Sequence, residues 1–361
     1  MKLFNKLCLF LGCSLLITSN LYASDDASLS ELKKEFLELE NKLERLEQAN
    51  KELVNKPNKD MKLYATLRPT YGWIDNSGEE QFDVKDALSH AGFKSTTEFK
   101  KGWVAILHGE WGVDLSNNGD FGKARQVYVA VDSPFGRIGI GKQRPVQYLF
   151  IAEYIDIFNH GNSPFSYDPE SLFFVNNLIT YSKVVNNFTL MAVAQFNGEQ
   201  GDNFQDLINT GVSYDKDNLH LALTYTKQDA LADDVVIGDD QIVAVSGAYT
   251  LESGLYFALG YQDKSYNRIT IMNRDGHTFD FSVAYPIANQ MKLKAGYFDF
   301  KDGMNGDDSR DFNGVNLTAE WSPESNLRFH IEYLNRNFKK QKDYSSISVG
   351  FRYDFADVWN Y

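Results

Sequence analysis

Two hydrophobic periods divide the chain. From residue 29 to 53 the apolar positions Leu29, Leu32, Phe36, Leu39, Leu43, Leu46 and Leu53 recur in steps of three and four, and Asn50 fills the remaining seam position. Glu and Lys crowd the other positions, which is the a/d pattern of a heptad helix. Pro57 ends it. Two packings satisfy such a stripe: an amphipathic helix laid on its own domain, or a parallel coiled coil whose a-position Asn fixes register. The second implies an oligomer.

After Asp60 the period drops to two. In Leu327-Arg328-Phe329-His330-Ile331-Glu332-Tyr333 apolar and polar residues alternate strictly, as a strand with one greasy and one wet face requires. Met291, Leu293, Ala295 and Tyr297 repeat the pattern, as do Leu219 to Tyr225 and Val315 to Trp321. Sixteen such strands are predicted, beginning near residues 62, 89, 103, 124, 136, 177, 188, 207, 219, 240, 255, 277, 291, 312, 327 and 344. Seven connections are short and rich in turn formers, from Lys100–Gly102 to Ser322–Asn326, and they alternate with eight longer acidic or Gly/Asn-rich ones. Short turns at one end and long loops at the other predict an all-β, 16-stranded antiparallel transmembrane barrel of the outer-membrane type, both termini periplasmic, behind a short α-helical coiled-coil segment. A soluble sandwich has no reason for that asymmetry.

Composition then fixes the setting. Lys2 and Lys6 precede an apolar stretch from Leu7 to Ile17, and Leu21-Tyr22-Ala23 offers a small residue for cleavage, so residues 1–23 read as an export signal. Leu11-Gly12-Cys13 faintly resembles an acylation site, but the apolar run continues past it. Cys8 and Cys13 are the only cysteines, so the mature chain has neither disulfide nor thiolate chemistry. The chain divides into the signal, a segment 24–60 and a barrel 61–361. Loss of Lys2 and Lys6 with the signal, and the three-charge acidic excess of Ser24–Asp60, turn the overall −13 into −12 for residues 61–361. So acidic a surface excludes nucleic acid as a partner.

One connection stands apart. Residues 144–175 show no period-two pattern, are too long for an ordinary hairpin loop, and are rich in aromatics such as Tyr148, Phe150, Tyr154 and Phe158. The stretch carries Glu153, Asp156, Asp168 and Glu170, and no base beyond Arg144 at its entry.

Four ordered stretches, Ser89-His90-Ala91-Gly92-Phe93-Lys94, Arg125-Gln126-Val127-Tyr128-Val129, Phe135 to Gln143, and Asn177-Leu178-Ile179-Thr180-Tyr181, resemble the landmarks of Gram-negative general porins. The resemblance implies a homotrimer of water-filled barrels in the outer membrane, among lipid and lipopolysaccharide, each narrowed by its third external loop. The N-terminal rod resembles the coiled-coil extension of one branch of trimeric porins, with peptidoglycan or a periplasmic protein as its implied partner. It further implies that the four loop acids face wall bases, here Arg68, Lys94, Arg125, Lys142 and Arg144. Two positions depart from the family: His90 and Phe174 stand where bases are usual. The expectation is passive diffusion of ions and small hydrophilic solutes with a weak cation preference. Substrate-selective transport is the alternative, and a structural or adhesive barrel tied to the cell wall is more remote. Arg125 is at odds with periodicity, since Val127, Val129 and Val131 share its register and face outward.

Other chemistry finds little support. Gly136 to Lys142 has phosphate-loop spacing, but Gln143 follows the Lys and no helix is due there. The six histidines show no metal-ligand spacing, and His90, His108, His220 and His330 fall on wet strand faces. No Gly-x-Ser-x-Gly elbow occurs. No catalytic residue, metal or cofactor is expected. The acidic loop Lys301–Asp308 suits a plain solvated hairpin better than a divalent bridge to lipopolysaccharide.

Overall fold

The computed structural model describes residues 42, 59–76, 78–117, 119–159, 172–198, 205–232, 235–269, 272–303 and 308–360. Lys42 is helical. The signal and the heptad seam lie outside the described residues, as do Asp168, Glu170 and Tyr361.

Eighteen β segments form one antiparallel sheet that closes on itself. They are β1 (Lys59–Leu67), β2 (Pro69–Asn76), β3 (Glu79–Asp86), β4 (His90–Lys100), β5 (Trp103–Val113) and β6 (Phe121–Ser133). Next come β7 (Gly136–Gln143), β8 (Val175–Val185), β9 (Phe188–Gln195), β10 (Leu207–Lys216), β11 (Leu219–Ala232) and β12 (Val235–Thr250). The last six are β13 (Tyr256–Arg268), β14 (Arg274–Ala288), β15 (Met291–Lys301), β16 (Phe312–Glu324), β17 (Leu327–Phe338) and β18 (Tyr344–Asn360).

The eighteen segments make sixteen staves. β18 pairs with both β1 and β2, which are therefore two halves of one stave broken at Arg68. β2 pairs with β3 and β1 with β4, so the second stave is broken opposite the first. The break is stitched by Ala87 N–H donating to the Arg68 carbonyl (2.9 Å) and Arg68 N–H donating to the Ser89 hydroxyl (2.7 Å). Leu88 holds φ 71° there, a left-handed conformation unusual for a residue with a Cβ.

Closure leaves no edge strand, so the ladder satisfies the backbone internally, as a membrane-spanning wall must. Along β11, Leu221 and Leu223 are 47% and 49% exposed on the outer face while His220, Thr224 and Thr226 are buried on the inner one. That is the reverse of a soluble core and the order that lipid demands.

All seven short turns fall where the pattern put them. Two of the eight expected long loops do not: Asn76 pairs with Glu79 and Ala232 with Val235, so in both hairpins the ladder leaves only two residues for the connection. β3 was not anticipated, and the second strand starts at Glu79 rather than near 89.

Glycine is required where side chains or loop come close to the wall. A Cβ on Gly296 would sit 2.5 Å from the Phe158 ring, and one on Gly211 would sit 2.9 Å from Val146. Small residues on the inner faces of β12 and β13, Ala244, Ala248 and Ala258, likewise make room for Ile151, Ala152 and Ile155. Two apolar clusters thus lie between the described part of the 144–175 connection and the inner wall, and a third, of Phe298, Phe300, Phe312 and Leu334, packs on the inner faces of β15 to β17.

The closing strand runs past Phe355. Ala356 to Asn360 pair with Tyr64 to Asp60 in unbroken register. Deleting residues 356–361 removes five ladder pairs, and the expected result is a barrel that assembles poorly and unfolds at lower temperature on heated gels. Unchanged heat-modifiability would assign the closing function to Phe355 alone.

Candidate functional site

The 144–175 connection leaves β7 and turns into the barrel. Val146, Ile151 and Ile155 are fully buried, and a π-helical turn (Tyr148–Ala152) leads into an α-helical one (Glu153–Ile155). A wide turn of this kind leaves carbonyls unpaired, and the wall supplies their donors. His220 Nε2 is 2.9 Å from the Phe150 carbonyl, and the Ser246 hydroxyl donates to the same oxygen at 2.7 Å. The Tyr256 hydroxyl donates to the Tyr154 carbonyl, Ser282 to Ile155 (2.8 Å) and Lys294 to Ile157 (2.7 Å). Gln147 bonds Asn209 and Gln262, and Tyr154 stacks on His220 with centroids 3.4 Å apart.

At its described end, Asn159 donates its backbone N–H to Glu332 (2.9 Å) and its amide to Glu320 (3.0 Å), and its carbonyl accepts from Arg68 (2.8 Å). Every wall strand from β10 round to β17 thus holds the segment by a polar side chain, and Arg68 of the first stave adds another. The aromatic anchoring expected from sequence is one part of this; backbone carbonyls carry most of the rest.

What remains open is a cavity of about 620 Å³. Glu153, Asp156 and Arg144 line it from the loop, and Arg68, Arg125, Arg328 and Arg352 line it from the wall, with His90, Leu88, Tyr148, Phe158, Phe173 and Phe174 between. Of the expected wall bases, Arg68, Arg125 and Arg144 converge here. Two do not. Lys94 faces inward but lies across from Lys62 and His108, four residues nearer the short-turn rim than His90. Lys142 pairs with Val127 and shares the outward parity of Ile138 and Ile140.

A bulge resolves the conflict over Arg125. Glu110 pairs with Gln126 and Trp111 with Ala124, which leaves Arg125 as the extra residue of β6. An inserted residue re-aims its side chain. Arg125 therefore turns inward, donating from Nε to Glu110 at 2.8 Å, while Val127, Val129 and Val131 keep facing outward.

Arg328 and Arg352 escaped the sequence reading. Both sit on wet faces of alternating strands, but periodicity gives facing and not height along the barrel, so nothing singled them out from other inward polar residues. Asp354 holds both, at 3.8 Å from Arg328 and 2.9 Å from Arg352, and Glu320 lies 3.8 Å from Arg328. The histidines expected on the wall are there: His108, His220 and His330 are buried on the inner face, and the Tyr64 hydroxyl lies 2.6 Å from His108. In the acidic hairpin, Asp302 is held by Arg274 (2.5 Å) and Arg310 (3.2 Å), and Asp308 by Lys340 (2.7 Å), so these carboxylates are committed within the protein.

A sixteen-stave closed barrel with a connection folded against its inner wall is matched by a family model, that of Gram-negative porins, over residues 49–360. The chain belongs to the Gram-negative porin family. Porins are channel proteins of the outer membrane, and this barrel, greasy outside and polar inside, is that of an outer-membrane channel for small solutes.

The porin fold is shared with solved structures at low sequence identity. The anion-selective porin from Comamonas acidovorans matches with a TM-score of 0.68 at 13% identity, over 82% of this chain and 100% of its own. OmpT of Vibrio cholerae in its trimer form matches at 0.63 and 18% identity, over 82% and 99%. Salmonella typhi OmpF, solved with daunomycin, matches at 0.65 and 16% identity, over 82% and 97%. No curated protein matches the sequence of this porin.

Proposed function

We propose that ions and small hydrophilic solutes diffuse passively through this barrel, and that the 144–175 connection sets what passes. The observation that carries the reading is the cavity left beside that connection, with Glu153 and Asp156 on one side and guanidinium groups of the wall on the other. Charges at such a constriction act at short range against low-dielectric walls, so they outweigh the −12 spread over the barrel, much of which solvent screens within roughly 8 Å. Arg328 and Arg352 strengthen the basic side beyond the sequence expectation, while Glu110 and Asp354 stand directly against the wall arginines and offset them. The reading is therefore a weakly selective channel, closer to balance than the cation preference inferred from sequence. Single-channel recording in potassium chloride tests it; protein that inserts without opening a conductance would overturn it and favour a structural barrel.

The assembly belongs to the same proposal. OmpT, a porin of the same fold, is described in a trimer form, which supports a homotrimer here. The heptad seam from Leu29 to Leu53 offers a parallel nucleus for it, residues 1–23 an export signal, and the long-loop rim an external face, which puts both termini in the periplasm. The expected result is a trimer by mass measurement in mild detergent, surviving deletion of residues 25–56 with lower thermal stability. Monomer alone from the intact chain would remove the trimer from the proposal.

A further inference from the structure

The cavity pairs charge with an apolar surface, and one side chain joins the two. Arg144 lies with its guanidinium carbon 3.8 Å from the Tyr148 ring centroid and 4.6 Å from that of Phe174. Arg125 approaches the same Phe174 ring at 4.8 Å. Phe174 occupies the position where the family resemblance led us to expect a base, so an aromatic has replaced a charge and now holds two. Arg125, Arg328 and Arg352 each bridge to a carboxylate of the wall. Arg144 makes no salt bridge among the described residues, although its charge reaches the Glu153 carboxylate and it also meets the Tyr148 hydroxyl. A guanidinium stacked on rings keeps its N–H edge for a ligand, and that edge matches a carboxylate in two parallel hydrogen bonds. Stacking also holds the fork in place beforehand, which lowers the cost of binding.

Beside this edge the lining is greasy. Leu88, half-exposed and held toward the cavity on a left-handed backbone, joins Phe173 and Phe174 there. A simple sieve for inorganic ions gains nothing from a Leu kept in that conformation, because backbone strain at such a site is sustained by what the surroundings require.

We propose that Arg144, with Phe174 and Leu88, forms a binding site for organic monocarboxylates that carry an aromatic or bulky apolar body. The carboxylate takes the Arg144 edge, and the body displaces water from Leu88 and the neighbouring rings. The site deepens the channel reading and rests on it: the solute is held at the constriction on its way through.

The test uses the full-length purified protein in planar bilayers, with benzoate and acetate added to a potassium chloride bath. Benzoate should block the current saturably, at a concentration roughly tenfold below any acetate block, since burial of a ring against apolar neighbours contributes that much or more. Arg144→Lys keeps the charge and loses the fork, so benzoate block should weaken about tenfold; a purely electrostatic sieve would treat the two side chains alike. Phe174→Ala should bring benzoate and acetate close to parity. Equal block by the two anions in the unmutated channel, or wild-type benzoate block in both variants, overturns the proposal while the channel stands. If the intact protein passes no potassium chloride current, the channel reading fails and takes the proposal with it.

Discussion

Neutralising Glu153 and Asp156 together, as Glu153→Gln with Asp156→Asn, shifts the reversal potential in a potassium chloride gradient toward anion selectivity. The two carboxylates and Arg144 line the cavity from the loop, and four arginines line it from the wall. A unit charge acting over ~8 Å at an effective dielectric near 20 is worth about 2 kcal/mol, and physiological salt reduces this to somewhat under 1. Two such charges change the cation permeability by roughly tenfold and the anion permeability by about as much in the opposite sense, so their ratio moves by about a hundredfold. Arg328→Gln with Arg352→Gln should move the potential the other way, but less, because Asp354 already offsets both. Lys94→Ala, which sequence reasoning ranked with the wall bases, should have a small effect, since Lys94 sits toward the short-turn rim. A reversal potential unmoved by the double carboxylate variant would place the selectivity-determining charges elsewhere.

Acidity gives an independent reading of the same charge. Desolvation by the groups packed around it pushes the Glu153 carboxyl above its usual range, and the nearby Arg144 charge only partly opposes this. A raised carboxyl pKa means that, as pH falls from neutral, this charge is lost before those of ordinary glutamates. Acidification from neutral should therefore shift selectivity toward anions in the manner of Glu153→Gln. In that variant the early part of the shift should vanish; its persistence would assign the titration to another group.

Much of this architecture was legible because lipid outside and water inside impose a period of two on every stave. Leu327 to Tyr333 alternates without exception and Leu219 to Tyr225 with only the small Ala222 out of pattern, and both are wall strands in the predicted facing. The pattern failed where strands outrun the apolar band. In Glu79–Asp86 only Phe82 and Val84 mark an outer face, and polar residues flank them on every side, yet the hydrogen-bond ladder continues and Phe82 stacks on Tyr71. At the β11–β12 tip the alternation lapses differently, because Ala230 to Ala232 and Val235 to Ile237 are apolar at consecutive positions while the ladder continues. A ladder needs backbone groups and tolerates polar side chains on both faces once the strand has left the membrane, so hydropathy is silent there.

The site was legible in kind and only partly in place. Residues 144–175 stood out by length, aromatic content and acidity, and Glu153 and Asp156 do line the cavity. Family resemblance places Arg125 on the wall against its own parity, and a bulge explains why both observations hold. A bulge shifts facing by one residue without leaving a hydrophobic signature, and Arg68 similarly owes its position to a break in the first stave. Height along the barrel separates Arg328 and Arg352 from Lys94, and it depends on strand stagger, which accumulates around the ring from turn lengths and bulges that no single strand reveals.

Replacing Lys294 by Met should be the most damaging single change to the inner wall. Its ammonium donates to Glu320 (2.8 Å) and to the Ile157 carbonyl (2.7 Å), and both side chains are about 6% exposed. Glu320 also accepts from Asn159, whose backbone N–H is held by Glu332, and Glu332 in turn accepts from Thr318. This node ties the end of the described loop to β15, β16 and β17. Met fills the volume but leaves Glu320 buried with Arg328 at 3.8 Å as its nearest remaining cation, and removes the donor to Ile157. Breaking a buried pair from one side typically costs about 3–5 kcal/mol, because the surviving charge keeps its desolvation cost without its partner. Lys294→Met should therefore lower thermal stability in detergent and, as Ile157 to Asn159 detach, add rapid flicker to the open-channel current. Lys294→Met with Glu320→Gln removes both charges and should recover much of the stability while the flicker remains, since the Ile157 carbonyl still lacks its donor. Equal destabilisation in the single and double variants would show that the pair contributes no coupling, and a quiet current in both would show that the loop is held without it.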